Sequence, residues 1–290
     1  MNGKNILSDI SVISPAYNAK LFIQSAVLVM VPFIMKGVEW IIIDDASEDN
    51  TADRFSHVLK RMDMNHEKGF RIAINRLASN SGPITARNIG LSTANGRYIA
   101  FLDVDDVWLP GKLEIQLEYM QKKKAGIIFS DYRHMSFNGD TVGRLVSAPD
   151  RVNFATLHRT RGIGCLTVMI DRHKISDFRF PNLPRNLLNE DFLAWASILR
   201  QGFVAERIPI DLARYRLSPE SRSSSKMRAA ISTWKIYRDV EKLSFWQSAI
   251  WFAEYAIRAK YKHLNSYPQY PRAEIDGEHA SLGVIASKVN

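Results

Sequence analysis

The chain has 290 residues, 46% hydrophobic and 24% charged, with a formal net charge of +9. That length supports one large α/β domain or two smaller ones, and the composition excludes wholesale disorder, collagen-like repeats and coiled coils. Cys165 is the single cysteine, which excludes an intrachain disulfide framework and leaves nothing that requires an oxidising compartment.

In chain order, Met1–Leu7 has no apolar core of a signal peptide. Ser11–Ser14 is a short β-branched run, expected to be a buried strand stopped by Pro15. Ala19–Val31 is apolar and helix-length, with Pro32 expected to break it. The wider stretch Leu21–Met35 is too short and too interrupted to span a bilayer. Val38–Ile43 predicts a second strand ending in Asp44-Asp45, and Ser47 is placed to cap a helix starting near Asp49. Phe70–Asn75 predicts a third strand. Asn80-Ser81-Gly82-Pro83 is a turn, with Pro83 opening a helix that runs through Ala94. Tyr98–Leu102 predicts a fourth strand ending in Asp103-Val104-Asp105-Asp106, Pro110 opens a helix through Lys123, and Ile127–Phe129 begins another strand.

Strands alternating with helices imply right-handed β-α-β units and a mostly parallel sheet, and uninterrupted apolar strands imply burial on both faces. In such sheets ligands bind beyond the carboxyl ends of the strands. Three of those ends carry Pro15-Ala16-Tyr17-Asn18, Asp44-Asp45 and Asp103-Val104-Asp105-Asp106. Two carboxylates spaced two apart on extended chain point the same way, a pattern suited to a hard cation shared with a diphosphate. The same residues also fit an acidic turn ahead of a helix. Asn189-Glu190-Asp191 precedes the apolar run Phe192–Leu199, and that acidic pair either complements a helix dipole or supplies a general base. The sequence lacks GxGxxG after the first strand, GxxxxGK[ST], HExxH, CxxC and GxSxG, which disfavours dehydrogenase, P-loop, metalloprotease and serine-hydrolase readings.

SVISPAYN, VEWIIIDDASEDNT and NSGPITARNIGLSTANGRYIAFLDVDDVWLPGKL, in that order and spacing, resemble the family 2 inverting glycosyltransferases of the GT-A fold. NEDFLAW and ARYRLSPESRSSSK resemble the acceptor half of members that build bacterial surface polysaccharides, so the resemblance extends over about residues 10–226. It implies a Rossmann-like α/β sheet flanked by helices, with residues 1–125 as the nucleotide-sugar half, 126–226 as the acceptor half and 227–290 as a helical extension and tail. It also implies transfer from a nucleotide-sugar, a UDP-sugar by family habit, to a saccharide or lipid-diphosphate-linked acceptor with inversion.

Carried over residue by residue, Pro15, Tyr17 and Asn18 line the base and ribose, and Asp44 accepts from the base. Asn80, Gly82, Arg87 and Asn88 lie near the nucleotide. Asp103 reaches the ribose or the metal, Asp105 binds Mn2+ or Mg2+, and Asp106 belongs to the same cluster or caps the next helix. Asp191 is the general base, and Glu190 orients it or the acceptor. Two departures stand out. Ser218 occupies the place where many relatives carry a histidine, which implies either weaker metal affinity or that Arg216 and Arg222, on the acceptor side, offset diphosphate charge instead. The first helix is more apolar than usual, which fits core, a partner surface or a membrane-facing patch.

Residues 1–110 hold 11 Lys/Arg against 12 Asp/Glu, leaving 28 against 18 in the remainder. A basic second half suits phosphorylated ligands, a polyanion or an anionic membrane surface, or is plain solvation. Ile231–Leu264 predicts one or two helices in which Trp246, Ile250, Ile257 and Tyr261 recur at helical spacing, with Arg258, Lys260 and Lys262 following. That pattern fits either an interfacial helix or one packed on the catalytic domain. Tyr267–Arg272 reads as a linker. The expected location is cytoplasmic, with peripheral attachment to the inner face of a bacterial plasma membrane left open. Nucleic acid is not an expected partner, because no RNA-recognition signature is present. The rival readings are a basic non-catalytic binding protein and a GT-A-like scaffold without activity.

Overall fold

The structure, a computed structural model, describes residues 7–64, 69–183, 187, 189–218, 226–264 and 270–271, with residues 226, 258–264 and 270–271 described for their backbone alone. Strands β1 (Ile10–Ala16), β2 (Glu39–Asp44), β3 (Ile72–Arg76) and β4 (Tyr98–Phe101) are parallel in the order β3-β2-β1-β4. They are joined by helices α1 (Ile23–Ile34), α2 (Thr51–Arg61) and α3 (Pro83–Thr93). Beyond β4 the sheet continues with β9 (Val168–Asp171), antiparallel to both β4 and β6 (Ile127–Met135), and then with β7 (Thr141–Val146). The long β10 (Ala205–Arg216) runs parallel to β6 and takes the short strands β5 (Val107–Trp108) and β8 (Arg151–Val152) on its other side. The sheet built by β1 to β4 is therefore purely parallel, and the rest of it mixes both senses.

Alternation along each strand divides the core. Val12, Trp40, Ile42, Ala100 and Met169 face one layer with α1, α2 and α4 (Lys112–Lys123). Ile13, Ile41, Ile43, Ile99, Phe101 and Ile170 face the other, with α3, α5 (Phe154–Thr160) and α6 (Glu190–Arg200). Helix α3 lies so close to β1 that a Cβ at Gly90 would stand 2.4 Å from Ile13 Cγ2.

Three local expectations are corrected. β1 does not stop at Pro15 but runs to Ala16. Pairing with β4 ends at Ile13, whose carbonyl accepts from Leu102 N at 3.1 Å. Pro15 turns its nitrogen to that same vacated side, so its missing N–H costs no ladder bond. Pro32 lies inside α1, in its last turn, where only one intrahelical bond is lost. Ser47 is not the cap of α2; Asn50 occupies that position, and Ser47 serves the loops described below.

The C-terminal region forms α7 (Lys226–Lys235), a wide turn at Ile236–Val240 and α8 (Phe245–Leu264). Its inner side packs on the catalytic domain. Tyr237 donates its hydroxyl to the His158 carbonyl at 2.6 Å, and the Arg161 guanidinium lies 4.0 Å from the Phe192 ring centre and 5.1 Å from that of Tyr255. His158 is buried among Phe154, Phe192, Tyr237 and Trp251, and that burial pulls its titration down to about 4, so it packs as a neutral ring. Tyr270–Pro271, expected as linker, pairs with β7 as the short strand β11.

Candidate active site

The carboxyl ends of β1, β2 and β4 converge on one rim, and hydrogen bonds from backbone N–H groups to side-chain oxygens lock the exit loops of β1 and β2 together. After β1, Asn18 adopts a left-handed backbone (φ 47°), a conformation asparagine tolerates. Its N–H donates to Ser47 Oγ at 2.9 Å and its side-chain oxygen accepts from Glu48 N at 2.9 Å. Ala19 N and Lys20 N donate to Thr51 Oγ1 and Asp49 Oδ2, both at 2.9 Å. Tyr17 projects from this braced loop, 49% exposed, while Pro15 is half-buried at the strand end.

Asp44 is fully buried, and its Oδ1 accepts from Ser47 N at 3.1 Å and from the Ser47 hydroxyl. Its Oδ2 makes no hydrogen bond and lies 3.6 Å from Arg76 Nε. A buried carboxylate oxygen with an open acceptor position is the group needed to receive a base N–H.

Asp45, in the sequence only the second member of an acidic pair, organises the neighbouring turn. Its two oxygens accept from Ser81 N and Gly82 N, each at 2.7 Å. Gly82 has φ +87°, a conformation that requires glycine, and Pro83 then opens α3. Asn80 lies exposed at the start of this turn. The signal for Asp45 was the doubled acid itself: one aspartate faces the site while its neighbour points to the adjacent loop.

Arg87 joins the two halves of the site. It is buried on α3, and its Nη2 donates to both Asp103 oxygens at 2.7 and 2.9 Å, while Nη1 stands 3.7 Å from Glu190 Oε1. Burial works against its charge, but Asp103 foremost and then its other acidic neighbours hold the guanidinium protonated far above neutrality. The strand-end acids of β4 and the acids of α6, 87 residues apart at Asp103 and Glu190, thus meet across one arginine. The buried Cys165 thiol shares this neighbourhood, and burial pushes its titration up, so it stays a neutral thiol. Asn88, expected beside the nucleotide, uses both ends of its amide on the Phe180 backbone, at 2.9 and 2.8 Å. It braces the Phe180 segment beneath Arg87, whose guanidinium lies 5.4 Å from that ring centre.

Burial and then the Asp103 charge push the Asp105 carboxyl up to about 6. Asp106 is buried and also raised, by burial and then by Asp105. It does not cap the next helix: its Oδ1 accepts from Arg216 N at 2.9 Å. β5 brings the chain back against β10, so that Arg216 also donates to the carbonyls of Asp105 and Phe137, both at 2.6 Å. Arg216 was expected on the acceptor side; its backbone N–H and Nε hold the acidic loop, and its Nη1 reaches the β6–β7 turn at Phe137. Arg222 lies outside the described residues.

Asn189 turns into α6 with φ 73°, and Asp191 stands half-buried in the first turn, its Oδ1 accepting from Phe192 N at 2.8 Å. Burial first, and then the neighbouring Glu190 charge, raise its carboxyl to about 6. A carboxylate of that basicity is ionised at neutral pH and still able to take a proton from a hydroxyl in the transition state.

Among the described residues, no group of three or more His, Cys, Asp or Glu is arranged to hold an ion. A full protein cage is therefore missing from that set. One or two carboxylates at a strand end, one of them pushed up to about 6 by burial and then by the charge of its neighbour, fit a hard cation that completes its shell with substrate phosphates.

Residues 11–170 match the family model described as glycosyl transferase family 2. The chain is 38% identical over 255 residues to TuaG of Bacillus subtilis, named as a teichuronic acid biosynthesis glycosyltransferase, covering 88% of this chain and 97% of TuaG. It is 35% identical over 231 residues to WfgD of Escherichia coli, named UDP-Glc:alpha-D-GlcNAc-diphosphoundecaprenol beta-1,3-glucosyltransferase, covering 79% of this chain and 85% of WfgD. Among solved structures, S. aureus TarS 1–349 in complex with UDP-GlcNAc superposes with a TM-score of 0.63 at 18% identity, over 86% of this chain and 72% of that one. The mannosyltransferase PcManGT of Pyrobaculum calidifontis, with GDP-Man and Mn2+, gives 0.59 at 14% identity, over 95% and 80%. At those identities the structures report the fold, and the arrangement is the GT-A one.

Proposed function

From the premise that the chain belongs to glycosyl transferase family 2, and is a glycosyltransferase of the GT-A fold, we propose that it transfers a sugar from a UDP-sugar to a saccharide or lipid-diphosphate-linked acceptor, with inversion, in the making of a cell-surface polysaccharide. The observation that carries this reading is the Asp103–Arg87–Glu190 bridge, which joins the acids after β4 to those opening α6. UDP is supported by the open Oδ2 of Asp44, suited to a base N–H, and by the donors in the names of WfgD and the TarS complex. The acceptor class is supported by the name of WfgD, and a lipid-linked acceptor implies work at the inner face of a bacterial plasma membrane. Residues 1–125 serve as the donor half, 126–226 as the acceptor half and 227–290 as an extension.

In this reading Pro15, Tyr17 and Asn18 line the base and ribose. Asp45 fixes the Asn80–Gly82 turn beside the nucleotide. Asp105, with Asp103 beside it, would hold Mn2+ or Mg2+, which neutralises charge gathering on the departing nucleoside diphosphate. Asp191 takes the proton of the acceptor hydroxyl. That oxygen bonds to the anomeric carbon from the face opposite the diphosphate, and the sugar–oxygen bond breaks with its electron pair leaving on the nucleoside diphosphate. One displacement inverts the centre. Arg87 keeps Asp103 and Glu190 in place without entering the reaction.

The test is release of nucleoside diphosphate from a panel of UDP-, GDP- and dTDP-sugars with Mn2+, with and without EDTA. Release from UDP-sugars that EDTA abolishes is the expected result. Full turnover in EDTA removes the metal assignment, and turnover restricted to GDP- or dTDP-sugars removes the UDP assignment.

A further inference from the structure

We propose that the outer face of the C-terminal helical pair is a docking surface for an anionic lipid bilayer. The inner side of α8 is occupied, because Trp251 packs near Tyr237 and His158, and Phe252 packs on Trp234. The opposite side should then be polar, yet Trp246, Ile250 and Ile257 are 75%, 58% and 56% exposed. At 100° per residue, positions 246, 250, 253 and 257 fall within an arc of about 60°, one continuous apolar stripe. Helix α7 adds Met227 and Ile231, 75% and 51% exposed. Packing on the catalytic domain and presenting an apolar face are thus properties of two sides of the same helices.

Charge selects the occupant. Residues 226–264 contain eight Lys/Arg and three Asp/Glu. Two of the three acids are turned inward, Glu254 to Arg159 and Glu241 to Arg200. Arg228, Lys235 and Lys242 are exposed. An apolar stripe with tryptophan, flanked by three exposed basic residues against one exposed acid, Asp239, matches the boundary of a negatively charged bilayer and disfavours a second basic copy of the same face. Among the described residues no helix is long and apolar enough to cross a membrane, so α8 would lie in the plane of the interface.

The experiment uses the full chain and needs no turnover, so its failure leaves the transferase reading standing. Co-sedimentation is measured with vesicles of phosphatidylcholine alone and with about 30% phosphatidylglycerol. Wild type is expected to bind the anionic vesicles, Trp246→Glu/Ile250→Glu to bind at least about tenfold more weakly, and Leu28→Glu, an exposed site on α1, to bind as wild type. Should the double variant melt early, quenching of wild-type tryptophan emission by brominated lipid reads the same contact through Trp246. Absence of binding and quenching, or binding unchanged by the double variant in a folded chain, overturns the proposal. So does self-association that the double variant abolishes in a protein indifferent to vesicles.

Discussion

Replacing Asp191 with asparagine should lower turnover steeply and at the same time make the protein more stable. The carboxyl moves from 3.8 to about 6, by burial and then by the adjacent Glu190. At about 1.4 kcal/mol for each tenfold change in proton affinity, the ceiling on this penalty at pH 8 is about 3 kcal/mol. Asp191 is half-buried and solvent screens part of that, so about 1–2 kcal/mol is the expected gain. The asparagine side chain still offers an oxygen to Phe192 N, so the helix start keeps its hydrogen bond. In a protein of this size the gain appears as a rise of about 2–6 °C in the melting temperature. Its pH dependence is distinctive. The folded carboxyl holds its proton more tightly than the unfolded one, so ionisation leaves wild-type stability untouched below about pH 4. The penalty grows from pH 4 to 6 and is constant above. The variant's advantage should follow that course in calorimetric scans. Turnover should fall by about 10²–10⁴-fold while donor affinity is nearly unchanged, because no donor contact is assigned to Asp191. A variant that melts at or below wild type at pH 8, or that keeps wild-type turnover, refutes the assignment of a strained general base.

Asp105→Ala should lower turnover by about 10³-fold or more and remove the effect of Mn2+ on donor affinity, read by calorimetry with and without the metal. Arg87→Met leaves Asp103 and Glu190 facing without their shared cation; about 2–4 kcal/mol of stability should be lost in denaturant titrations. In the same variant, the acid limb of the pH–rate profile should move to higher pH, because Arg87 helps keep Asp191 ionised. Asp45→Ala releases two backbone N–H groups of the Ser81–Gly82 turn and should cost about 2–3 kcal/mol, with KM for the donor raised more than kcat is lowered.

The alternation of strands and helices over residues 10–123 was legible because β1, β2 and β4 are buried on both faces and read as unbroken apolar runs, while the half-exposed edge strand β3 shows the same β-branched pattern more weakly. Pro15 misled as a strand stop, since whether a proline breaks a ladder depends on which neighbour its nitrogen faces, and β4 ends two residues earlier. The antiparallel insertion of β9 was invisible, because four residues of Val-Met-Ile-Asp carry no record of their pairing partners. At the site, the acids at the strand ends and at the start of α6 stood out by position. Their coupling did not, for Arg87 is one basic residue on a helix until the fold brings Glu190 beside it. Asp45, Asp106 and Asn88 spend their polar atoms on backbone groups of distant segments, a use of side chains that sequence spacing does not encode.

The place of β9 has a consequence during synthesis of the chain. β4 begins at Tyr98, and the strand that closes its outer edge begins at Val168, about 70 residues later. At a ribosomal rate of about 5–20 residues per second, the completed β1–β4 sheet waits roughly 4–14 s with the bare edge of Tyr-Ile-Ala-Phe exposed. An unpaired apolar edge is a template for pairing with other chains. Nascent molecules on crowded polysomes are therefore at greatest risk of cross-association in that interval, and a fragment ending near residue 125 keeps the risk permanently.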